Sequence, residues 1–174
     1  MKPIKKTVMA VWLLMALLLS GCSLRNDGPT AEEAKAFLSG HREEIDFVVD
    51  YLKELGYDSI LIDKGKEEAF YEFEWHDISS ENVITSLNSL WAAGCRSIYK
   101  DDNTISFEIW CRTRGDVDCG IACAIDGQGM PKTQYQIRCE KIGDGWFYYY
   151  DDYEEYRKDP SKNEENKALN KQAG

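Results

Sequence analysis

The sequence predicts an α+β domain: an antiparallel sheet of about six to seven strands with two helices on one face, in the order α-β-β-α-β-β-β-β-β. Three observations carry this. Apolar residues recur at intervals of three and four only before Leu55 and between Val83 and Trp91. After Gly94 the chain breaks into five short segments of strand character. Too few helices separate those late segments for a doubly wound parallel sheet. A curled half-barrel, with the helices inside the curve, is the alternative.

The first helix starts near residue 31, where Thr30 and Glu33 have capping-box spacing. Phe37, Leu38, Ile45, Val48, Val49, Leu52 and Leu55 form its stripe. Ser39-Gly40 bends or splits it, and Gly56 suits its C-terminal cap. A hairpin follows, with strands at Ser59 to Ile62 and Ala69 to Trp75 around Asp63-Lys64-Gly65-Lys66. In its second strand Tyr71, Phe73 and Trp75 share one face. The second helix is capped by Ser79, carries Val83, Ile84, Leu87, Leu90 and Trp91, and ends at Gly94. The late strands are Arg96 to Lys100, Thr104 to Arg112, Val117 to Ile125, Gln134 to Ile142 and Trp146 to Tyr150. Asp102-Asn103 and Gly143-Asp144-Gly145 suit tight turns. A short acidic turn or helix follows at Asp151 to Arg157, and the tail from 158 to 174 is polar enough to stay disordered.

Ahead of the domain, Lys2, Lys5 and Lys6 precede an uncharged apolar run from Val8 to Leu19. That is the layout of a secretory signal, and the run is shorter than the roughly 20 apolar residues a membrane span needs. Leu19-Ser20-Gly21-Cys22 then resembles the lipobox of bacterial lipoproteins. The resemblance covers residues 1–22 only. It implies cleavage between Gly21 and Cys22, a diacylglycerol on the Cys22 thiol, and attachment to the outside of a cell membrane or to an outer membrane. Several acyl chains on one residue hold stably, where one chain binds only marginally. The expected organisation is a signal peptide at 1–21, a lipidated tether at 22–30, one domain at 31–157 and the tail. The globular part is also loosely similar to small uncharacterised lipoproteins of Gram-positive bacteria. It shares a helix, a sheet and a late Gly-Trp-aromatic run, here Gly145 to Tyr150. No activity follows from that similarity.

Loss of residues 1–21 removes three of the 21 basic residues and none of the 31 acidic ones, which leaves 153 residues at −13. Such a charge opposes binding to nucleic acid or to bare anionic lipid. Five cysteines remain. One reading pairs Cys111 with Cys119, and Cys123 with Cys139, as cross-strand disulfides in hairpins centred near Gly115 and near Met130-Pro131. The other leaves them reduced, as small core hydrophobes. Their spacing, with only His41 and His76 as imidazoles, does not make a zinc site, and no metal or cofactor is expected.

No serine-hydrolase, zinc-protease or nucleotide-binding motif occurs, so no catalytic residue is assigned. Arg114-Gly115-Asp116 reads as a turn. The acidic clusters at Asp101-Asp102, at Asp116 and Asp118, and at Asp151, Asp152, Glu154 and Glu155 read as solvated turns. The unusual segment is Trp146-Phe147-Tyr148-Tyr149-Tyr150. Strand alternation sends Trp146, Tyr148 and Tyr150 to one face. With Trp110, they are the candidate aromatic contact face, for an envelope protein, a peptide or a glycan. The functional expectation is a lipid-anchored, non-enzymatic binding domain. An envelope hydrolase and an inhibitor or immunity protein are the alternatives.

Overall fold

A computed structural model describes residues 28–112, 116–127 and 129–159. The expected signal segment, Cys22 with the first part of its tether, Arg114-Gly115 and the tail beyond 159 lie outside the described residues. The domain is α+β, with one antiparallel eight-stranded sheet in the order β3-β2-β1-β4-β5-β6-β8-β7. Its strands are β1 (Ser59–Asp63), β2 (Glu68–Tyr71), β3 (Glu74–Asp77), β4 (Ser97–Asp101), β5 (Thr104–Cys111), β6 (Val117–Ala124), β7 (Gln136–Gly143) and β8 (Trp146–Asp152). Its helices are α1 (Ala31–Gly40), α2 (Arg42–Glu54), α3 (Glu81–Ala92) and the short α4 (Tyr153–Lys158).

Thr30 starts α1 through the expected reciprocal cap. Its hydroxyl accepts from the Glu33 N–H at 3.3 Å, and the Glu33 carboxylate accepts from the Thr30 N–H at 2.8 Å. The stripe is split just after Ser39-Gly40, the place where a bend or break was expected. His41, at φ −130°, ends α1 and opens α2. Gly56 has φ +73° and Gly94 φ +111°, the left-handed geometry that stops α2 and α3. Ser80 rather than Ser79 caps α3, accepting from the Val83 N–H. Ile45, Val48 and Leu52 of α2 and Leu87 and Leu90 of α3 bury against Ile60, Ile62, Ile98, Ile105, Phe107 and Ile121 of the sheet. All of these strand residues point to one face, as the two-residue period requires.

Three departures from the expected topology matter. First, the expected strand Ala69 to Trp75 is a hairpin, β2–β3, turning at Glu72-Phe73. Both turn residues are left-handed, at φ 51° and 67°. Asn-Gly normally occupies such a turn, since other residues meet Cβ strain there. An unbroken alternation of glutamates and aromatics hid the reversal. Tyr71 therefore faces the helices, Phe73 stands off the tip, and Trp75 faces away.

Second, β5 carries a bulge between Glu108 and Trp110. The extra residue inverts the alternation beyond it. Trp110 joins Cys119 on the helix face, and Cys111 joins Asp118 on the other.

Third, β6 and β7 do not form a hairpin. β8 lies between them and is antiparallel to both. The connection between β6 and β7 therefore leads from one end of the strands to the other, and its described residues lie on the face opposite the helices. It is pinned on the way: the Lys132 N–H donates to Thr104 Oγ1 at 3.2 Å, and the Thr133 hydroxyl and Tyr135 N–H both donate to the Asp151 carboxylate. The connection explains why Ser106, Ala122 and Tyr149, all on the face without helices, are buried.

Antiparallel pairing also sorts the loops into two ends. Gly28 sits where β5 ends and β6 begins. A Cβ there would lie 2.9 Å from the Trp110 ring and 3.0 Å from Cys119 Sγ. The Tyr148 hydroxyl donates to the neighbouring Pro29 carbonyl at 3.0 Å. The Glu72-Phe73, Asp102-Asn103 and Asp144-Gly145 turns lie at the opposite end.

Candidate functional site

The register aligns one row of side chains across all eight strands, on the face away from the helices: Trp75, Phe70, Leu61, Tyr99, Ser106, Ala122, Phe147, Lys141. The row divides in two. The 125–135 connection covers the half at β5, β6 and β8. Nothing among the described residues covers the half at β3, β2, β1 and β4. There Trp75 is 38% and Tyr99 42% exposed, and Phe73 at the adjoining hairpin tip is 94% exposed. Phe70 packs against Trp75 at 5.2 Å between ring centroids. The Lys66 ammonium sits 3.8 Å from the centroid of the Trp75 ring. A single exposed apolar residue is ordinary, whereas neighbouring aromatics on one open sheet face mark a contact surface.

Beyond Lys66, the charge of the β2–β3 hairpin is acidic. Residues 67–77 contain Glu67, Glu68, Glu72, Glu74 and Asp77 and no lysine or arginine. By the same register, Glu68 and Asp77 share the Trp75 face of the sheet.

The covered half holds two carboxyl groups that burial raises, Asp118 and Asp151. Asp118 and Asp151 are direct cross-strand neighbours. Burial first, and then the charges of Asp151 and Glu108, push the Asp118 carboxyl up to about 7. Burial also raises Asp151, while its bonds from Thr133 and the Tyr135 N–H pull the other way. Glu108 accepts from the Ser97 hydroxyl at 2.8 Å and lies 3.7 Å from Arg96. Tyr149, wholly buried beneath the connection, is raised well above the usual phenol range, by burial and then by Asp118. Asp151 thus acts as the latch for the connection, and Asp118 carries the electrostatic cost of sitting beside it. This differs from the solvated turns expected of these acids.

The residues singled out in the sequence fall elsewhere. Trp146 and Tyr148 point toward the helices and are almost fully buried, and Trp110 and Tyr150 pack partly buried against the same core. The expected aromatic contact face is therefore core. The Trp-aromatic run reads as a binding strip in the sequence because nothing in it shows that α1 and Gly28-Pro29 close over it.

All five described cysteines are free. Cys111 opposes Asp118 rather than Cys119, because of the bulge. Cys123 opposes Trp146, and Cys139 opposes Tyr149 with β8 between them. Burial is the leading cause that pushes Cys95 and Cys119 up to about 12, and Cys123 and Cys139 up to about 11. Such thiols stay protonated at neutral pH, which is the reverse of an activated nucleophile. Among the described residues no group of three His, Cys, Asp or Glu side chains is arranged to hold a metal ion. No helix among them is long and apolar enough to cross a membrane.

No protein-family model, curated protein or solved structure matches the chain.

Proposed function

We propose that the protein is a non-enzymatic interaction domain, held outside a membrane by lipid on Cys22, whose contact surface is the open aromatic half of the sheet. The observation that carries this is the row Trp75, Phe70, Leu61 and Tyr99, left open beside a strained turn that presents Phe73 to solvent. Left-handed conformations at two ordinary residues cost on the order of 1–2 kcal/mol each. That cost makes an exposed Phe at the tip hard to assign to folding alone.

The tether supports the reading. Six residue steps separate Cys22 from Gly28, so even a fully extended chain reaches only about 20 Å. With lipid on Cys22, the Gly28 end of the sheet is held near the bilayer. The Phe73 tip belongs to the other end and faces outward.

The anchor has a direct test. Cells fed a labelled fatty acid should label the protein, and Cys22→Ala should abolish the label and release the chain from the membrane fraction. A label that persists on the variant removes the anchor from the proposal. The contact surface is tested by photocrosslinking from Tyr99 on intact cells, which should capture an envelope component.

A further inference from the structure

The two edges of the sheet are treated differently. β7 carries a register irregularity at each end and displays Arg138, Glu140 and Lys141. Bulges and mixed charges are the usual guards against a further strand. β3 has no irregularity against β2, and it presents Glu74, Trp75, His76 and Asp77 without a lysine or a proline.

The pairing pattern shows which backbone groups are free. The two-residue turn makes Tyr71 and Glu74 a hydrogen-bonded pair, and the Ile78 N–H donates to the Glu67 carbonyl at 2.9 Å. Antiparallel pairs alternate between bonded and non-bonded. Trp75 and Asp77 therefore direct their N–H and C=O groups away from β2, toward the open edge.

We propose that this edge accepts an extended, cationic segment of an envelope protein by strand addition. The inference rests on the reading of the chain as an interaction domain and names its partner's chemistry. Trp75 and Asp77 supply the main-chain bonds, the standard source of affinity in this mode. Charge selects the occupant. Five acidic side chains and no lysine or arginine lie within residues 67–77. The Trp75 ring already holds a cation, Lys66, at 3.8 Å. An exposed contact of that kind contributes little, so an incoming lysine or arginine can replace it. A second copy of the chain fits poorly, because it would bring a second strand carrying Glu74 and Asp77 beside this one and add like charge along the edge.

The test uses the full chain purified in detergent and two synthetic peptides, one alternating Lys with Val and the other Glu with Val. Amide exchange is followed by NMR. The Lys–Val peptide should protect the Trp75 and Asp77 amides, and the Glu–Val peptide should not. Proline is tolerated at an edge position whose N–H faces solvent. Asp77→Pro should therefore keep the fold and weaken binding about tenfold or more, the loss expected from one main-chain bond and one charge. Asp77→Asn, which keeps the N–H, should weaken it less. Protection at β7, equal response to both peptides, self-association through β3, or indifference to Asp77→Pro each overturns strand addition. Capture of a partner from Tyr99 on cells with these amides unprotected also overturns it, and leaves the interaction reading standing.

Discussion

Gly120→Ala should be the most damaging single substitution in the sheet. Gly120 stands opposite Glu108, where the β5 bulge begins, and a Cβ on it would lie 1.9 Å from the Phe107 carbonyl oxygen. The contact is with backbone, so no rotamer change relieves it. Either β5 and β6 separate locally or the bulge moves, and moving it returns Trp110 to the wrong face. Overpacking in a core commonly costs 1–3 kcal/mol, and a backbone clash at a central strand belongs in the tail above that, at about 4 kcal/mol or more. For a chain of this size that corresponds to a fall in Tm of roughly 10 °C or more. Thermal unfolding followed by circular dichroism measures it. A shift of only a degree or two would show that β5 and β6 do not approach as described.

Asp118→Asn should stabilise the protein above about pH 4, by an amount that grows until about pH 7 and is level beyond it. The unfolded Asp118 carboxyl has its ordinary value near 4, while the folded one is pushed up to about 7. The folded state therefore binds a proton between these limits that the unfolded state has released. The stability tied to this group is full below about pH 4, is lost as pH rises toward 7, and is level above that. Three pH units would convert to about 4 kcal/mol. Asp118 keeps partial contact with solvent, and screening reduces the figure to on the order of 1–3 kcal/mol. Asn has the shape of the protonated acid and no charge to bury. Denaturant unfolding at pH 8 should show the gain, and at pH 4 the two proteins should match. A gain of equal size at both pH values would mean that packing, not the carboxylate beside Asp151 and Glu108, is responsible.

The elements were legible where local chemistry defines them. The Thr30–Glu33 cap, the glycines at 56 and 94 and the apolar stripes of α1, α2 and α3 are short-range signals, and the structure follows them. Strands β4 to β8 lie within one or two residues of their expected bounds, because their residues favour pleated, half-buried positions. What could not be read is long-range. The bulge at β5 lies beside the close approach of Gly120 to Phe107, and no residue near position 109 marks it. The β2–β3 turn uses Glu and Phe where turn residues are expected. The crossing of 125–135 over β8 is a matter of sheet order, and a loop containing Gly127, Gly129 and Pro131 serves a hairpin equally well.

These three features also moved the candidate site. The sequence drew attention to Trp146, Tyr148, Tyr150 and Trp110, the aromatics with the densest local pattern, and they close the core. The open rings on and beside the uncovered sheet face are Trp75, Phe73 and Tyr99. They come from separate elements that meet only once the hairpin turns and β1 pairs with β4. One signal was present: residues 67–77 combine five acids with four aromatics and no lysine or arginine. The proposed cationic partner rests on that composition.

Crosslinking on intact cells tests the central claim most directly. A photoreactive residue is placed in turn at Phe73, Tyr99 and Lys141. The first two lie at the open half of the sheet, and the third belongs to the far end of the same cross-strand row, on β7. Positions 73 and 99 should capture the same envelope component, and position 141 should not. Capture from all three positions alike, or from 141 alone, would contradict it.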